Sequence, residues 1–255
     1  MLWYKSWLET RWRFLLGLAM LMCSAAGVVL TRPEVMKLMP MADRLPVAGE
    51  IGRRIREAVD LSRSYNGYVW SQWFRQNGAQ FGTIFAALLG TGGLLAQSSG
   101  GAALFTLSMP VTRARLLGIR AAAGLAEWFV LAFAPSLLIP LLSPTIGESY
   151  GVGNTLVHSA CLFIAGAAFF SLAFLLSTAF GDIWRPLLLA LLIATVLAVL
   201  PLVLRGMGSW NIFNVMSGES YFRGGRLPWA GLTASAAASA AMLYAGARNI
   251  AHRDF

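Results

Sequence analysis

The chain has 255 residues, of which 57% are hydrophobic and only 12% charged, with a mean hydropathy of +0.65 and a net charge of +9. A soluble domain carries about 25% charged residues, so the composition excludes an ordinary soluble protein and implies an all-α integral membrane protein. The basic residues are scattered between apolar runs rather than gathered in a stripe, which suits anionic lipid headgroups and argues against a nucleic-acid partner.

A helical crossing needs about 20 mainly apolar residues. The runs predict six transmembrane helices over 14–30, 79–96, 113–142, 155–180, 186–204 and 228–247. Residues 2 to 13 form an interfacial helix: Trp3, Trp7 and Leu8 share a face, and Glu9 pairs with Lys5 or Arg13 four residues away. Glu9 and the aromatic residues argue against a cleavable signal peptide. Pro33 ends the first span, and the long connection 31–78 follows. Within it, residues 50–63 read as an amphipathic surface helix, and Tyr65, Tyr68, Trp70, Trp73 and Phe74 as an interfacial aromatic belt.

The second span carries Gly82, Gly90, Gly92 and Gly93, read as close-packing positions. After the loose turn at Gly100 and Gly101, an apolar segment runs to Met109. Pro110 stops it, and Thr112 caps the helix that begins with Arg113, Arg115 and Arg120. From Arg113 to Pro140 this helix is about 42 Å long, more than the ~30 Å hydrocarbon layer. Its arginine end therefore projects, and Pro135 kinks it. Asn154 caps the fourth span, Pro186 starts the fifth, and Pro228 opens the sixth, whose ASAAASAAM core is built for close packing. The polar, aromatic stretch 205–226 suits a re-entrant or surface hairpin. Cys23 and Cys161 read as small buried hydrophobes.

The segment QSSGGAALFTLSMPVTRARLLGIR, together with KSWLETRWRFLLGL, YNGYVWSQWF, NIFNVMSGESYFRGGRLPW and the Arg-Asp-Phe ending, resembles the permeases of the type-2 family of ABC exporters. Many members carry an acidic residue before the glycines, where this chain has Gln97, Ser98 and Ser99. The resemblance implies one transmembrane permease domain over 1–255 in the inner membrane, with both termini cytoplasmic. It also implies a coupling segment between the second and third spans. Ser108, Met109, Pro110, Val111, Thr112, Arg113 and Arg115 would meet a separate ATP-binding subunit. A second permease copy or a homologous permease would complete the transporter. The cations divide almost evenly between the two sides, so this orientation comes from the resemblance.

Gly90-Thr91-Gly92-Gly93 lacks the lysine of a phosphate-binding loop, so ATP and Mg would sit on the partner. Neither His158 nor His252 has metal-ligand spacing, and no catalytic constellation marks an enzyme or a cofactor site. Glu127, two turns beyond Arg120 on one face, is the candidate for a polar role inside the membrane; a structural glutamate held by a neighbouring helix is the plainer reading. The alternative function is a secondary transporter or channel not driven by ATP.

Overall fold

The computed structural model describes residues 2–42, 59–92, 113–203 and 211–251, and every regular element among them is helical. In chain order these are α1 (Leu2–Ala42), α2 (Tyr65–Val69), a π-helical segment (Trp70–Asn77), α3 (Gly78–Gly90) and α4 (Arg113–Leu142). A 3₁₀ turn (Ser143–Ile146) follows, then α5 (Val152–Ser177), α6 (Trp184–Val203), α7 (Ile212–Ser217), α8 (Glu219–Phe222) and α9 (Trp229–Ala251). Four helices are long and apolar enough to cross a membrane: Trp3–Lys37, Arg115–Ile146, Val152–Ser177 and Trp184–Pro201.

α5 is the hub, packed against α3, α4, α6, α7 and α9. Of its most apolar stretch 67% is buried, against 22% for α6, which therefore lies at the periphery. Glycines let the neighbours approach. The Trp128 indole of α4 wedges between Gly82 of α3 and Gly166 of α5, where added Cβ atoms would stand 2.9 and 2.3 Å from the ring. Its Nε1–H donates to the Phe163 carbonyl at 3.0 Å, which holds the wedge in place. Lipid offers apolar side chains no hydrophobic drive to associate, so such close packing and hydrogen bonding must hold the bundle.

The structure corrects several sequence expectations. α1 runs through Pro33 to Ala42 as one 41-residue helix. A tertiary anchor outweighs the proline there: the buried Arg32 guanidinium donates to the carbonyls of Ser62 and Arg63 and lies 4.8 Å from the Tyr68 ring. At 1.5 Å per residue α1 is ~62 Å long, so it extends well past a ~30 Å apolar layer. Trp70, Trp73 and Phe74 form no exposed belt; all three are fully buried in the π-helical segment. Their burial is possible because the indole N–H groups find acceptors, Trp70 at Ser217 O and Trp73 at Ser136 Oγ, both at 2.9 Å.

α5 starts at Val152 with Gly151 before it, while Asn154 accepts a hydrogen bond from the Tyr221 hydroxyl. α6 starts at Trp184, where Asp182 Oδ1 accepts from the Arg185 amide at 2.8 Å, so Pro186 is its third residue. α4 spans Arg113–Leu142 as expected and continues through Pro135 and Pro140. Cys161 is buried but Cys23 is exposed on the outer face of α1. In the 205–226 stretch, α7 and α8 turn at Gly218 in the left-handed region (φ 64°). Its residues Val215, Met216 and Ser217 are buried, and the ring of Phe222 stacks on Trp70 at 4.2 Å. Of the 50–63 helix, residues 59–63 are helical and 50–58 lie outside the described residues.

Between the α4–α5 connection and α2, two tyrosines lie outside the spans. Ser143 Oγ–H donates to the Ile139 carbonyl, leaving its lone pair for the Tyr65 hydroxyl at 2.7 Å. Tyr150 packs edge-on to the Tyr65 ring. Burial pushes both phenols above the ordinary tyrosine value of about 10. Above that pH the unfolded chain loses protons that the folded chain keeps, so the folded state loses stability as pH rises. The thermal midpoint should fall above about pH 10, and the fall should be shallower in a Tyr65→Phe/Tyr150→Phe variant. An equally steep fall would remove these tyrosines from the account.

Candidate functional site at the root of the 93–112 segment

Three helices converge where α3 ends. α1 brings Glu9, Thr10 and Arg13 on its first turns, and α4 brings Arg120 and Glu127, seven residues apart and therefore on one face. α3 brings the carbonyls of its last turn. A helix C-terminus leaves carbonyls without internal partners and carries the negative end of the helix dipole, so cations are favoured there.

Both arginines answer that need. Arg13 Nη1 lies 3.2 Å from Thr91 O and 3.4 Å from Leu88 O. Arg120 Nη2 lies 3.4 Å from the same Thr91 carbonyl, and its Nη1 donates to Glu9 Oε2 at 2.7 Å. Glu9 thus pairs with Arg120 across two helices, a partner that its i,i+4 spacing to Lys5 and Arg13 does not suggest. This bond crosses 111 positions of sequence, beyond the reach of any local pattern.

Gly92 follows with φ +94°. A Cβ there would stand 2.9 Å from Arg120 Nη2 and 3.2 Å from Arg13 Nη1. The backbone conformation calls for glycine, and a Cβ would also press on the two guanidiniums that hold the end of α3. Gly82 and Gly90 are packing positions, as expected; Gly92 is the turn by which the chain leaves α3 toward segment 93–112.

Glu127 lies on the same side of α4, 6% exposed. Its Oε1 accepts from the Thr10 hydroxyl, so a neighbouring helix does hold it. Its Oε2 is buried and has no hydrogen-bond partner among the described residues. Unpaired buried oxygens are costly, which makes this carboxyl the least satisfied polar group of the cluster.

Of the other sequence candidates, Ser108, Met109, Pro110, Val111 and Thr112 lie outside the described residues, Arg113 opens α4, and Arg115 is exposed two residues further on. Sequence reasoning missed Thr10, Arg13, Thr91 and Gly92 as members. The available signal was weak: a threonine and an arginine bordering an apolar run. At the opposite side of the bundle His158 donates from Nδ1 to the Ser217 carbonyl at 2.9 Å. Among the described residues no group of three His, Cys, Asp or Glu side chains could hold a metal ion.

No family model matches the chain, and neither the curated proteins nor the solved structures contain a match.

Proposed function

We propose that this chain is the membrane-spanning permease subunit of an ATP-driven ABC exporter, coupling ATP hydrolysis on a separate subunit to export. The observation that carries this reading is the arginine clamp. Arg13 of α1 and Arg120 of α4 hold the last turn of α3, so a push on the segment leaving at Gly92 reaches three helices at once. In the sequence that segment ends in Ser-Met-Pro-Val-Thr-Arg, the part that resembles an ATPase-docking loop.

The proposal assigns six spans. Helix α3, with the π-helical segment from Trp70 that leads into it, and helix α9 join the four apolar crossings. α9 is rich in Ala and Ser, which lowers its hydropathy without preventing a crossing that is packed against α5. Both termini and the 93–112 segment are placed in the cytoplasm, with Ser108 to Arg113 and Arg115 on the ATPase. The outward leucines and valines of α6, such as Leu188, Leu192 and Val196, are offered to lipid or to a second permease. A transporter that works without ATP is the competing reading, and the buried, half-satisfied Glu127 is the observation that favours it.

The test is charge reversal. An Arg113→Glu/Arg115→Glu variant should release the ATPase from the purified complex while leaving the permease folded, because Arg115 is exposed. Retention of the ATPase at the wild-type ratio would remove these arginines from the contact.

A further inference from the structure

We propose that the groove between the first turns of α1 and the middle of α4 is a binding site for a lipophilic organic cation. The groove is open along its length and offers about 450 Å³. Trp3, Tyr4, Trp7 and Phe14 of α1 form one wall, and Glu127 with small apolar residues of α4 forms the other. Trp3, Tyr4 and Trp7 remain 55%, 67% and 37% exposed, so large ring surface faces out of the bundle with nothing among the described residues covering it.

Three observations choose the occupant. First, the faces of tryptophan and tyrosine attract cations, most strongly where water is excluded. Second, among the described residues Glu127 is the one charged residue lining the groove, and its Oε2 is buried without a hydrogen-bond partner among them. The guanidiniums nearest to it are engaged elsewhere, Arg120 by Glu9 and Thr91, Arg13 by Leu88 and Thr91. A cation in the groove would therefore supply the missing partner. Third, no lysine or arginine lines the groove among the described residues, so the phosphate of a phospholipid or the sulfate of an anionic amphiphile would be buried there without compensation. A hydrated metal ion is also a poor fit, since hard cations take about six oxygen ligands and the groove offers one carboxyl. Its walls are almost wholly apolar, which points to a ligand that reaches the site from the bilayer.

The site belongs to this chain alone and does not depend on an ATPase partner. Tetraphenylphosphonium, and tetraphenylborate of the same shape and opposite charge, distinguish the charge from the apolar contact. The full chain in nanodiscs of neutral lipid would be dialysed to equilibrium against each radiolabelled ion. Saturable binding of the phosphonium and none of the borate is expected. Glu127→Gln, which retains a group to meet Thr10, should weaken phosphonium binding about tenfold, a change of ~1.4 kcal/mol. A Trp3→Leu/Tyr4→Leu variant, altered only at exposed positions, should weaken it as well. Protection of the buried Cys161 thiol would show that each variant is folded. Equal binding of the borate, or phosphonium binding unchanged in either variant, would overturn the proposal.

Discussion

Replacing Arg120 with methionine is expected to destabilise the protein by about 3 kcal/mol, the lower part of the range for breaking a buried ion pair from one side. The lower part applies because the Glu9 side chain keeps 26% exposure while that of Arg120 has 12%. Methionine fills most of the volume, so the loss comes from two sources. Glu9 is left as a poorly hydrated carboxylate, and the Thr91 carbonyl loses one of its two arginine donors. The pairing predicts the remedy: a Glu9→Gln/Arg120→Met variant should recover a large part of the loss, since no charge is then stranded. Arg120→Lys should fall between, because one ammonium cannot reproduce a planar fork that reaches Glu9 and Thr91 together. Labelling of Cys161 during heating reads the loss, in a Cys23→Ser background because Cys23 is already exposed. A midpoint for Arg120→Met equal to the parent's would show that the pair contributes nothing.

Gly90→Ala should destabilise the α3–α5 contact despite favouring the helix. Alanine in place of glycine inside a helix gains about 1 kcal/mol. Here the new Cβ would stand 2.3 Å from the backbone carbonyl oxygen of Phe170 and 3.1 Å from the Ala173 Cβ. A backbone atom in a packed helix cannot rotate aside, so α3 and α5 must separate. Overpacking of this kind costs about 1–3 kcal/mol, at times more, and so direct a clash belongs at the top of that range. The net expectation is a loss of about 1–2 kcal/mol. Gly118 supplies the internal control, since nothing lies within 4 Å of its added Cβ. Gly118→Ala should therefore be neutral or stabilising. Equal midpoints for the Gly90 and Gly118 variants would contradict the packing argument.

The sequence placed the long helices well where local chemistry decided their ends. Arg113–Leu142 matches the expected third span because the apolar run sets its length. Elsewhere distant residues overrode local signals. Pro33 reads as a stop, yet Arg32 clasps residues some 30 positions away and the helix continues. Trp70 and Trp73 read as part of an interfacial belt until their indoles meet Ser217 and Ser136. The π-helical winding that turns them inward has no periodic signature in the residue pattern.

The candidate site was legible in part for the same reason. Arg120 and Glu127 share a face by spacing alone, and a carboxyl in an apolar run calls for a partner. Thr10 as that partner, and Arg13 over Thr91, follow only from the way α1, α3 and α4 cross. Glu9 shows how a correct local rule gives way: its i,i+4 neighbour was available, but the end of α3 engages Arg13 and Arg120 takes the carboxylate.

The central claim is that this chain depends on an ATPase bound at the segment that leaves α3 at Gly92. The most direct measurement is to express the chain with the proteins encoded beside it and isolate it in mild detergent. The copurified material is then assayed for a Walker A protein and for Mg-ATP hydrolysis that rises when the two are reconstituted together. The account predicts such a partner, with hydrolysis stimulated by the wild-type chain and much less by the Arg113→Glu/Arg115→Glu variant. A chain that purifies without any ATPase, and whose vesicles transport under an ion gradient with no ATP present, would contradict it.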